Sequence, residues 1–301
     1  MLNELGLRKR AELIQAIRAF FINREYVEVD TPARLPVVIP EAHNLPVESG
    51  DHILQTSPEI CMKRVLAETG CRRIFQICKC YRKNERGDRH LPEFTMLEWY
   101  RAQSDYNSLM TECEDFIIEV AEAIGRRGYL SYQRTDITLE KPWARITVSD
   151  AFSMYSPVSM AQALEENIFD EILCTHIEPR LGMKKPVFLY DYPAELGALA
   201  RKKTDNPSVA ERFEVYVAGL ELANGFSELT DPKEQRQRFE QELKSIEHQG
   251  RSAGRMPEKF LKSLVNMPEA AGIALGVDRL AMILFDLDTI DKTVLFVPED
   301  L

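Results

Sequence analysis

The stretch from Phe75 to Arg101, FQICKCYRKNERGDRHLPEFTMLEWYR, constrains the fold of this chain more than any other. Its first part alternates apolar and polar residues, and its last part is rich in β-branched and aromatic residues. These patterns predict two β-strands, Phe75–Arg82 and Phe94–Tyr100. Gly87 and Pro92 supply turn chemistry between them. We therefore expect a hairpin built around a long charged loop.

The loop of this hairpin is unusually rich in cations, and the second strand is expected to present a functional face beside it. A side-chain period of two places an aromatic ring, a carboxylate and a phenol on one face, next to a loop suited to gripping polyphosphate. A solvated hairpin whose charges only maintain solubility explains the same residues. The residues concerned are Arg82, Lys83, Glu85, Arg86, Asp88, Arg89 and His90 in the loop, and Phe94, Met96, Glu98 and Tyr100 on the strand.

The overall charge is acidic, with 38 Lys and Arg against 48 Asp and Glu and a formal net charge of −10. A broad nucleic-acid surface is basic, so tRNA is not an expected partner, although a local basic site is compatible with this balance. No apolar run spans a membrane, and the N-terminus lacks the apolar core of a signal peptide. The six cysteines lack zinc-type spacing, since Cys78 and Cys80 are too close for a CxxC site. We expect a cytoplasmic protein with reduced thiols and no membrane partner.

The N-terminal segment predicts a helix and then a strand. Leu13, Ile17 and Phe21 have the spacing of one apolar face of a helix over residues 7–25. Residues 26–31 follow as a short strand that Pro32 ends. This pair is either a core helix with an edge strand or a subunit interface.

A second helix start follows the short strand at residues 52–55. Thr56 or Ser57 is suited to cap this helix, with Pro58 at its first position. Glu59 in the first turn has a simple explanation in the helix dipole. A further helix is predicted over residues 106–126 from its apolar spacing.

Carboxylates recur in ERFEVYVAGLELANGFSEL, residues 211–229, where two strand-like runs meet near Gly219. Two carboxylates are enough to hold Mg²⁺ against a phosphate. Glu214 and Glu221 face opposite ways on one unbroken strand, so they converge only if a turn or bulge forms at Gly219. Scattered surface glutamates are the alternative. Three residues of the second run share strand parity and are expected to line one pocket: Asn224, Phe226 and Glu228.

The segment GIALGVDRL, residues 272–280, precedes an apolar helix that runs through Phe285. Its small residues allow the backbone to approach a ligand closely, and Arg279 falls near the N-terminus of the following helix. The segment is not a dinucleotide-binding fingerprint, because its spacing and its arginine differ from that motif. Tight strand–helix packing with Arg279 in a surface ion pair is the alternative.

Together and in this order, these stretches resemble the class II aminoacyl-tRNA synthetases. YVEVDTP is similar to their motif 1, the charged hairpin to motif 2 and GIALGVDRL to motif 3, at about residues 18–32, 75–101 and 272–285. TSPE at 56–59, PEFTMLEWY and ELANGFSEL resemble the lysyl branch. The resemblance covers nearly the whole chain. It implies an α+β class II catalytic fold, an antiparallel sheet flanked by helices, as a single domain over residues 1–301.

Within the lysyl branch, two features resemble the elongation factor P–lysine ligases. Lysyl-tRNA synthetases carry an N-terminal oligonucleotide-binding barrel of roughly a hundred residues, but motif 1 ends here by residue 32, so no anticodon-binding barrel is expected. The ligases share the MLEWYR form of motif 2 and attach (R)-β-lysine to a lysine side chain of elongation factor P. They also carry alanine where synthetases usually have glycine. Ala274 matches the ligases, and its methyl group fits a pocket for a β-amino acid.

The resemblance assigns two catalytic arginines, Arg82 on the α-phosphate and Arg279 on adenine. Phe94 would stack on the other face of the base. The synthetase motif has glutamate two places after its first arginine, where this chain has Asn84. Glu85 is therefore an alternative contact to the adenine amino group. The implied ATP-binding set is Arg82, Asn84, Glu85, Arg89, His90, Phe94, Glu221 and Arg279.

The same resemblance implies that Glu214 and Glu221 bind Mg²⁺. Glu59 would take the substrate amino group near the reacting carboxylate, while Glu98 and Tyr100 grip the distal ammonium. The implied amino-acid-binding set is Glu59, Glu98, Tyr100, Asn224, Phe226, Glu228 and Ala274.

The implied reaction joins ATP to lysine or (R)-β-lysine and passes the aminoacyl group to elongation factor P, in a homodimeric enzyme. Adenylate formation requires no strong base, because the attacking carboxylate is ionised at neutral pH. Positioning and charge neutralisation by arginines and Mg²⁺ then supply the catalysis. Two alternatives are a free-standing lysyl-type synthetase and a catalytically inactive paralogue that serves as a regulatory subunit.

Overall fold

The computed structural model describes residues 2–42, 44–252 and 254–301. Its strands, numbered along the chain, are β1 (Val27–Glu28), β2 (Arg34–Leu35), β3 (Val47–Ser49), β4 (His52–Leu54), β5 (Arg73–Tyr81), β6 (Glu93–Ala102), β7 (Tyr129–Tyr132), β8 (Thr135–Thr138), β9 (Ala144–Thr147), β10 (Val187–Pro193), β11 (Val209–Val217), β12 (Leu220–Ser227) and β13 (Ala270–Gly276).

The α-helices are α1 (Glu4–Ile22), α2 (Glu59–Thr69), α3 (Tyr106–Ala123), α4 (Val148–Tyr155), α5 (Met160–Glu165), α6 (Phe169–Ile172), α7 (Pro232–His248), α8 (Glu258–Ser263) and α9 (Val277–Phe285). A π-helical turn continues α6 over Leu173–Ile177, and short 3₁₀ turns complete several loops. In the described part of the chain, no helix combines the length and the apolar character needed to cross a membrane.

Eight strands of the described chain form one mixed sheet in the order β1-β5-β6-β13-β12-β11-β10-β9. The six strands from β5 to β10 in this order pair antiparallel, and the outermost strands β1 and β9 pair parallel to their neighbours. β2, β4 and β3 form a small second sheet, and β7 and β8 form a separate hairpin. The predicted α+β fold, an antiparallel sheet flanked by helices, is confirmed.

One face of the large sheet is covered by α1, α3 and α9 and holds the main apolar core. Phe21 of α1 stacks on Phe75 of β5 with ring centroids 4.7 Å apart, and it contacts Trp99 of β6 at 5.2 Å. Fully burying one such side chain contributes roughly 1.5–3 kcal/mol. The predicted amphipathic helix is therefore a core helix of its own subunit.

The ends of this N-terminal unit differ from the predicted ones. α1 begins at Glu4 because the Asn3 side chain accepts a hydrogen bond from the Gly6 amide at 2.9 Å. The predicted strand over residues 26–31 is reduced to the two residues of β1, at the edge of the sheet. The core helix and edge strand are thus confirmed, and the subunit interface stays a prediction.

The opposite face of the sheet is polar at its centre. Along β6, Leu97 and Trp99 enter the helix-covered core. The residues that alternate with them point to the other side, as the period of two predicts: Met96, Glu98 and Tyr100. α2 and α8 pack together beside this second face. α2 begins at Glu59, and the Pro58 carbonyl accepts from the Cys61 and Met62 amides at 3.0 Å. The predicted cap by Thr56 or Ser57 is wrong, because Pro58 itself occupies the N-cap position and no side chain caps the helix.

The hairpin of β11 and β12 turns at Ala218 and Gly219, as predicted. Both residues have left-handed backbone conformations, with φ of 51° and 69°, which suits a tight hairpin turn. The register steps from Val215 opposite Ala223 to Tyr216 opposite Glu221. Leu222 is therefore an extra residue, and this β-bulge changes which side chains of β12 reach the polar face.

Candidate active site

A cavity of about 560 Å³ opens on the polar face of the sheet, above β6, β13, β12 and β11. Every residue predicted to bind ATP, metal or amino acid lines this cavity, except Asn84 and Glu228. Three stretches that are far apart in sequence, the charged hairpin, the β11–β12 hairpin and the β13–α9 junction, meet there. The alternative of scattered surface glutamates is therefore wrong for Glu214 and Glu221.

The two exceptions lie close to the cavity wall. Asn84 is exposed in a left-handed turn with φ of 66°, whereas its neighbour Glu85 lines the cavity. The Glu85 carboxylate Oε1 lies 3.7 Å from Nη1 of Arg82. Glu228 is 1% exposed, and its carboxylate packs against Gly272, which lines the cavity. Of the two candidates for the adenine amino group, Glu85 is the one that faces the cavity.

Arg279 connects three parts of one end of the cavity. Its Nη1 donates to the backbone oxygen of Glu221 at 2.9 Å and to the Glu221 carboxylate Oε2 at 3.3 Å. Its Nε donates to the Arg89 carbonyl at 3.3 Å, and its Nη2 lies 2.6 Å from Nε2 of His90. The ion pair expected for Arg279 exists, but it lies in the cavity wall rather than on an open surface.

His90 is held as a neutral acceptor in this arrangement. Burial lowers the pKa of His90, and the positive charge of Arg279 lowers it further. A neutral imidazole can accept a hydrogen bond from the Arg279 guanidinium, whereas an imidazolium would repel it. His90 is therefore a neutral support for Arg279 at neutral pH.

We predict that the pKa of His90, measured by NMR titration of the ligand-free protein, lies below the ordinary value of 6.5. Arg279→Ala should raise this pKa toward the ordinary value, because the variant removes the neighbouring positive charge. The His90→Gln variant assigns the resonance. A value at or above 6.5 in the unsubstituted protein would contradict this description.

Arg82, which packs against Phe94, adds a second positive charge to the cavity wall. The Arg82 guanidinium lies over the Phe94 ring, with 5.1 Å from its carbon to the ring centroid. Its Nε is buried and has no hydrogen-bond partner among the described residues. A buried donor without a partner is costly, so this part of the cavity is suited to an incoming anion. The stacking of adenine between Phe94 and Arg279 stays a prediction.

The β-bulge at Leu222 brings Glu214 and Glu221 to the same cavity. The Glu214 carboxylate accepts from Arg212 and Tyr216, each at 2.6 Å, and from the Tyr192 hydroxyl. Burial raises the pKa of Glu214, and the negative charge of Glu221 raises it further. A carboxylate whose charge is destabilised by a neighbouring carboxylate is suited to share a divalent cation with it.

Magnesium binding by this pair stays a prediction. In residues 2–42, 44–252 and 254–301, no three His, Cys, Asp or Glu side chains group into a metal site. Mg²⁺ commonly takes only one or two protein carboxylates and completes its shell with water and phosphate oxygens. Glu221, with Glu214 behind it, fits that mode of binding.

The other end of the cavity rests on a buried ion network that centres on Lys63. This side chain is 2% exposed, and its Nζ lies 2.5 Å from Glu228 Oε2 and forms an ion pair with Glu59. It also lies 4.9 Å from the ring centroid of Phe226. Burial alone lowers the pKa of Lys63, but Glu228 and Glu59 outweigh burial and raise it. Lys63 therefore stays charged and forms ion pairs with two buried carboxylates, Glu59 and Glu228.

Glu98 lies beside this network, and Lys63 forms its ion pairs with Glu59 and Glu228 instead. Glu98 is 1% exposed; its Oε2 accepts from the Tyr100 hydroxyl at 2.9 Å, and its Oε1 has no hydrogen-bond partner among the described residues. Burial and the charge of Glu59 raise the pKa of Glu98 well above its ordinary value. Ala274 lies directly opposite Glu98 on β13. This corner is built to receive a hydrogen-bond donor, above all a cation.

Tyr100 and Glu228 pack so closely against Gly272 that a side chain there would not fit. A Cβ at this position would lie 2.7 Å from Glu228 Oε1 and closer still to the Tyr100 ring. We predict that Gly272→Ala raises the KM for the amino acid about five- to 150-fold, because overpacking costs typically 1–3 kcal/mol, and leaves the KM for ATP unchanged. Steady-state ATP–pyrophosphate exchange measures both constants.

Gly254→Ala is the matched control, since a Cβ there meets no atom within 4 Å. An unchanged amino-acid KM in Gly272→Ala would show that this corner does not hold the amino acid.

Sequence reasoning missed several residues that shape the site. Lys63 stands four positions after Glu59, a spacing that allows an ion pair on a helix, but the sequence does not show that this pair is buried. Arg212 stands two positions before Glu214 on β11, so the two side chains point to the same face of the sheet. Nε of Arg212 also donates to Asn224 at 3.3 Å. The Tyr192 and Tyr216 hydroxyls gave no signal, because buried tyrosines are common in strands.

Comparison with known protein families matches residues 3–300 to the family described as tRNA synthetases class II (D, K and N). The match spans the cavity and every strand and helix that builds it.

Proposed function

Because the chain belongs to the class II tRNA synthetase family of the D, K and N enzymes, we propose that it activates lysine or (R)-β-lysine with ATP and transfers the aminoacyl group to a lysine side chain of elongation factor P. The family carries an ATP-dependent class II catalytic domain, which implies amino-acid adenylation. The amino acid, the acceptor and the roles of individual residues are the proposal.

The proposal of a lysine-like amino acid rests on Glu98 Oε1, which has no hydrogen-bond partner among the described residues. Among substrates of the D, K and N type, the side-chain ammonium of a lysine-like substrate would lower the raised pKa of Glu98 and stabilise its ionised form, whereas the carboxylate of aspartate would be repelled. Lys63 does not neutralise Glu98 directly, since it pairs with Glu59 and Glu228. A diamino acid whose distal ammonium meets Glu98 and Tyr100 suits this corner best.

Two observations support elongation factor P over tRNA as the acceptor. The MLEWYR segment and Ala274 resemble the ligases that modify this factor, and Ala274 faces Glu98 across β13 and β6. The net charge of −10 disfavours a polyanionic acceptor and favours a protein with a basic surface around the modified lysine.

The proposed chemistry has two steps. A carboxylate oxygen of the amino acid attacks the α-phosphorus of ATP, and pyrophosphate leaves; Arg82 holds the negative charge on the α-phosphate, and Arg279 stacks on the adenine. The acceptor amine then loses a proton and attacks the carbonyl carbon of the adenylate, forming an amide and releasing AMP. Mg²⁺ held by Glu221 and Glu214 would neutralise phosphate charge when bound. Glu98 and Tyr100 orient the amino acid in both steps.

The test is the intact mass of elongation factor P after incubation with this protein, ATP, Mg²⁺ and either L-lysine or (R)-β-lysine, with lysine-tRNA charging in parallel. We expect a gain of one lysyl residue on the factor and no charged tRNA. Charged tRNA with an unmodified factor would instead identify a free-standing synthetase. Neither product, together with absent ATP–pyrophosphate exchange, would identify an inactive paralogue. The Arg279→Ala variant is the negative control for the modification.

We also propose a homodimer through α1 and β1. Apolar side chains remain exposed on this unit, among them Leu5, Ile22 and Val27 at 60%, 59% and 50%, although its inner face is used within the subunit. β1 has a free edge for pairing. Sedimentation equilibrium is expected to give twice the chain mass of 34.6 kDa; a monomer at working concentration would remove the proposal.

A further inference from the structure

Three sulfur atoms converge on the cavity face of the hairpin formed by β5 and β6. Cys78 Sγ lies 3.9 Å from Cys80 Sγ, and Cys80 Sγ lies 3.8 Å from Met96 Sδ. Cys78 and Met96 are direct partners across the two strands, a relation that places Cβ atoms about 4.5–5.5 Å apart. Cys78 and Met96 therefore stand at neighbouring positions on the same face of the sheet, and Cys80 Sγ contacts both sulfur atoms.

These separations suit a single metal ion at the centre of the triangle. With metal–sulfur bonds of about 2.3 Å, three sulfur ligands in a plane lie about 4.0 Å from one another. The observed separations of 3.8 and 3.9 Å need little movement to reach that arrangement. Both ends of the chelate lie on paired strands, so the ligands are held in place before an ion arrives.

The ligand set selects the kind of ion. Thiolates and a thioether are soft ligands and favour copper(I) over the hard cations that carboxylates bind. Cys78 and Cys80 are free cysteines. Cys80 and Met96 are buried, and Cys78 is half-buried, which leaves an approach from one side.

We propose that Cys78, Cys80 and Met96 bind one soft monovalent metal ion of the copper(I) type at the wall of the active-site cavity. Binding converts two thiols into thiolates and releases two protons for each ion bound. Met96 lines the cavity between the two ends described above, with Phe94 on one side and Glu98 on the other. The ion would therefore fix the wall that both substrates contact.

The binding test uses the purified, reduced full-length chain without ATP, amino acid or elongation factor P, so its outcome is independent of the proposed function. Silver(I) and copper(I) are titrated anaerobically against a competing chelator, and the stoichiometry is read by native mass spectrometry. We expect one tightly held ion per chain. An ion that the chelator removes completely would overturn the proposal.

Variants then locate the ion. Cys78→Ser should lower the affinity at least a hundredfold, and Met96→Leu about ten- to a hundredfold. Cys174→Ser is the matched control, because this exposed cysteine lies outside the cluster, and it should leave the affinity unchanged. Equal affinity in Cys78→Ser and the unsubstituted chain would place the ion elsewhere and overturn the proposal.

X-ray absorption at the copper edge adds a readout that folding defects do not imitate. The unsubstituted chain should show three sulfur neighbours at about 2.3 Å, and Met96→Leu should show two. Circular dichroism confirms that each variant is folded before it is scored. Nitrogen or oxygen neighbours in place of sulfur would contradict the assignment.

Discussion

Arg279→Ala is expected to lower the rate of amino-acid-dependent ATP–pyrophosphate exchange by about 10²–10³-fold, the effect typical of removing one preorganised donor from a charge-stabilising site. Arg279 holds the Glu221 side chain, the Arg89 carbonyl and His90 in one arrangement. Its loss therefore removes the cation that is proposed to stack on adenine and also loosens Arg89 and His90, two other members of the ATP-binding set. The expected change appears in kcat and in the KM for ATP, because the adenine contact is made in the ground state as well as in the transition state.

Arg64→Ala is the matched control for this variant. Arg64 forms a surface pair with Glu68 on the same helix, an interaction worth roughly 0.3–0.5 kcal/mol, so exchange should stay within about twofold of the unsubstituted rate. If Arg279→Ala also keeps its rate, Arg279 is not part of the catalytic machinery. Urea unfolding of both variants separates a loss of catalysis from a loss of folded protein.

Lys63→Met is expected to lower the free energy of unfolding by about 3–5 kcal/mol, since removing one partner of a buried ion network leaves uncompensated charge. Glu59 and Glu228, which are both buried, would lose their shared counter-ion. Urea unfolding at pH 7 measures the effect. Lys259→Met, on the exposed side of α8, is the control and should change the free energy little.

The loss in Lys63→Met should grow with pH. Burial and Glu59 already raise the pKa of Glu228, with Lys63 opposing them, so the folded state holds this proton at pH values where the unfolded state has released it. The free energy of unfolding therefore falls as the pH rises above 4.5, the pKa of this glutamate in the unfolded chain. Without Lys63 the folded pKa rises further, which extends this fall to higher pH. Because the pKa of Glu228 is about 8 with Lys63 in place, the added loss appears above pH 8, and a loss that is equal at pH 7 and about pH 9.5 would contradict this account.

Partial rescue distinguishes charge from packing. The double variant Lys63→Met, Glu228→Gln carries one buried carboxylate fewer, so it should recover part of the lost stability. A double variant that is less stable than Lys63→Met would indicate that packing around the lysine side chain dominates.

The sequence was sufficient for the parts of the site that depend on local patterns. The period of two along β6 correctly grouped Phe94 with Glu98 on one face, and Gly219 correctly marked the turn between β11 and β12. Each of these follows from strand geometry and turn chemistry, which act over a few residues.

The rest of the site depends on contacts between distant segments. Lys63 and Glu228 are 2.5 Å apart but are far apart along the chain, and no local pattern pairs them. The extra residue at Leu222 decides which carboxylates of β12 face the cavity, yet a bulge has no sequence signature in this run. The start of α2 was misplaced because proline is common both before and at the first position of a helix.

The most direct test of the account is ATP–pyrophosphate exchange with four amino acids supplied separately: L-lysine, (R)-β-lysine, L-aspartate and L-asparagine. The free oxygen of Glu98 predicts exchange with at least one of the two lysines and none with aspartate or asparagine. Glu98→Gln should lower the lysine-dependent rate, because it removes the charge that receives the distal ammonium. Exchange driven by aspartate or asparagine, or lysine-dependent exchange that Glu98→Gln leaves unchanged, would contradict the account.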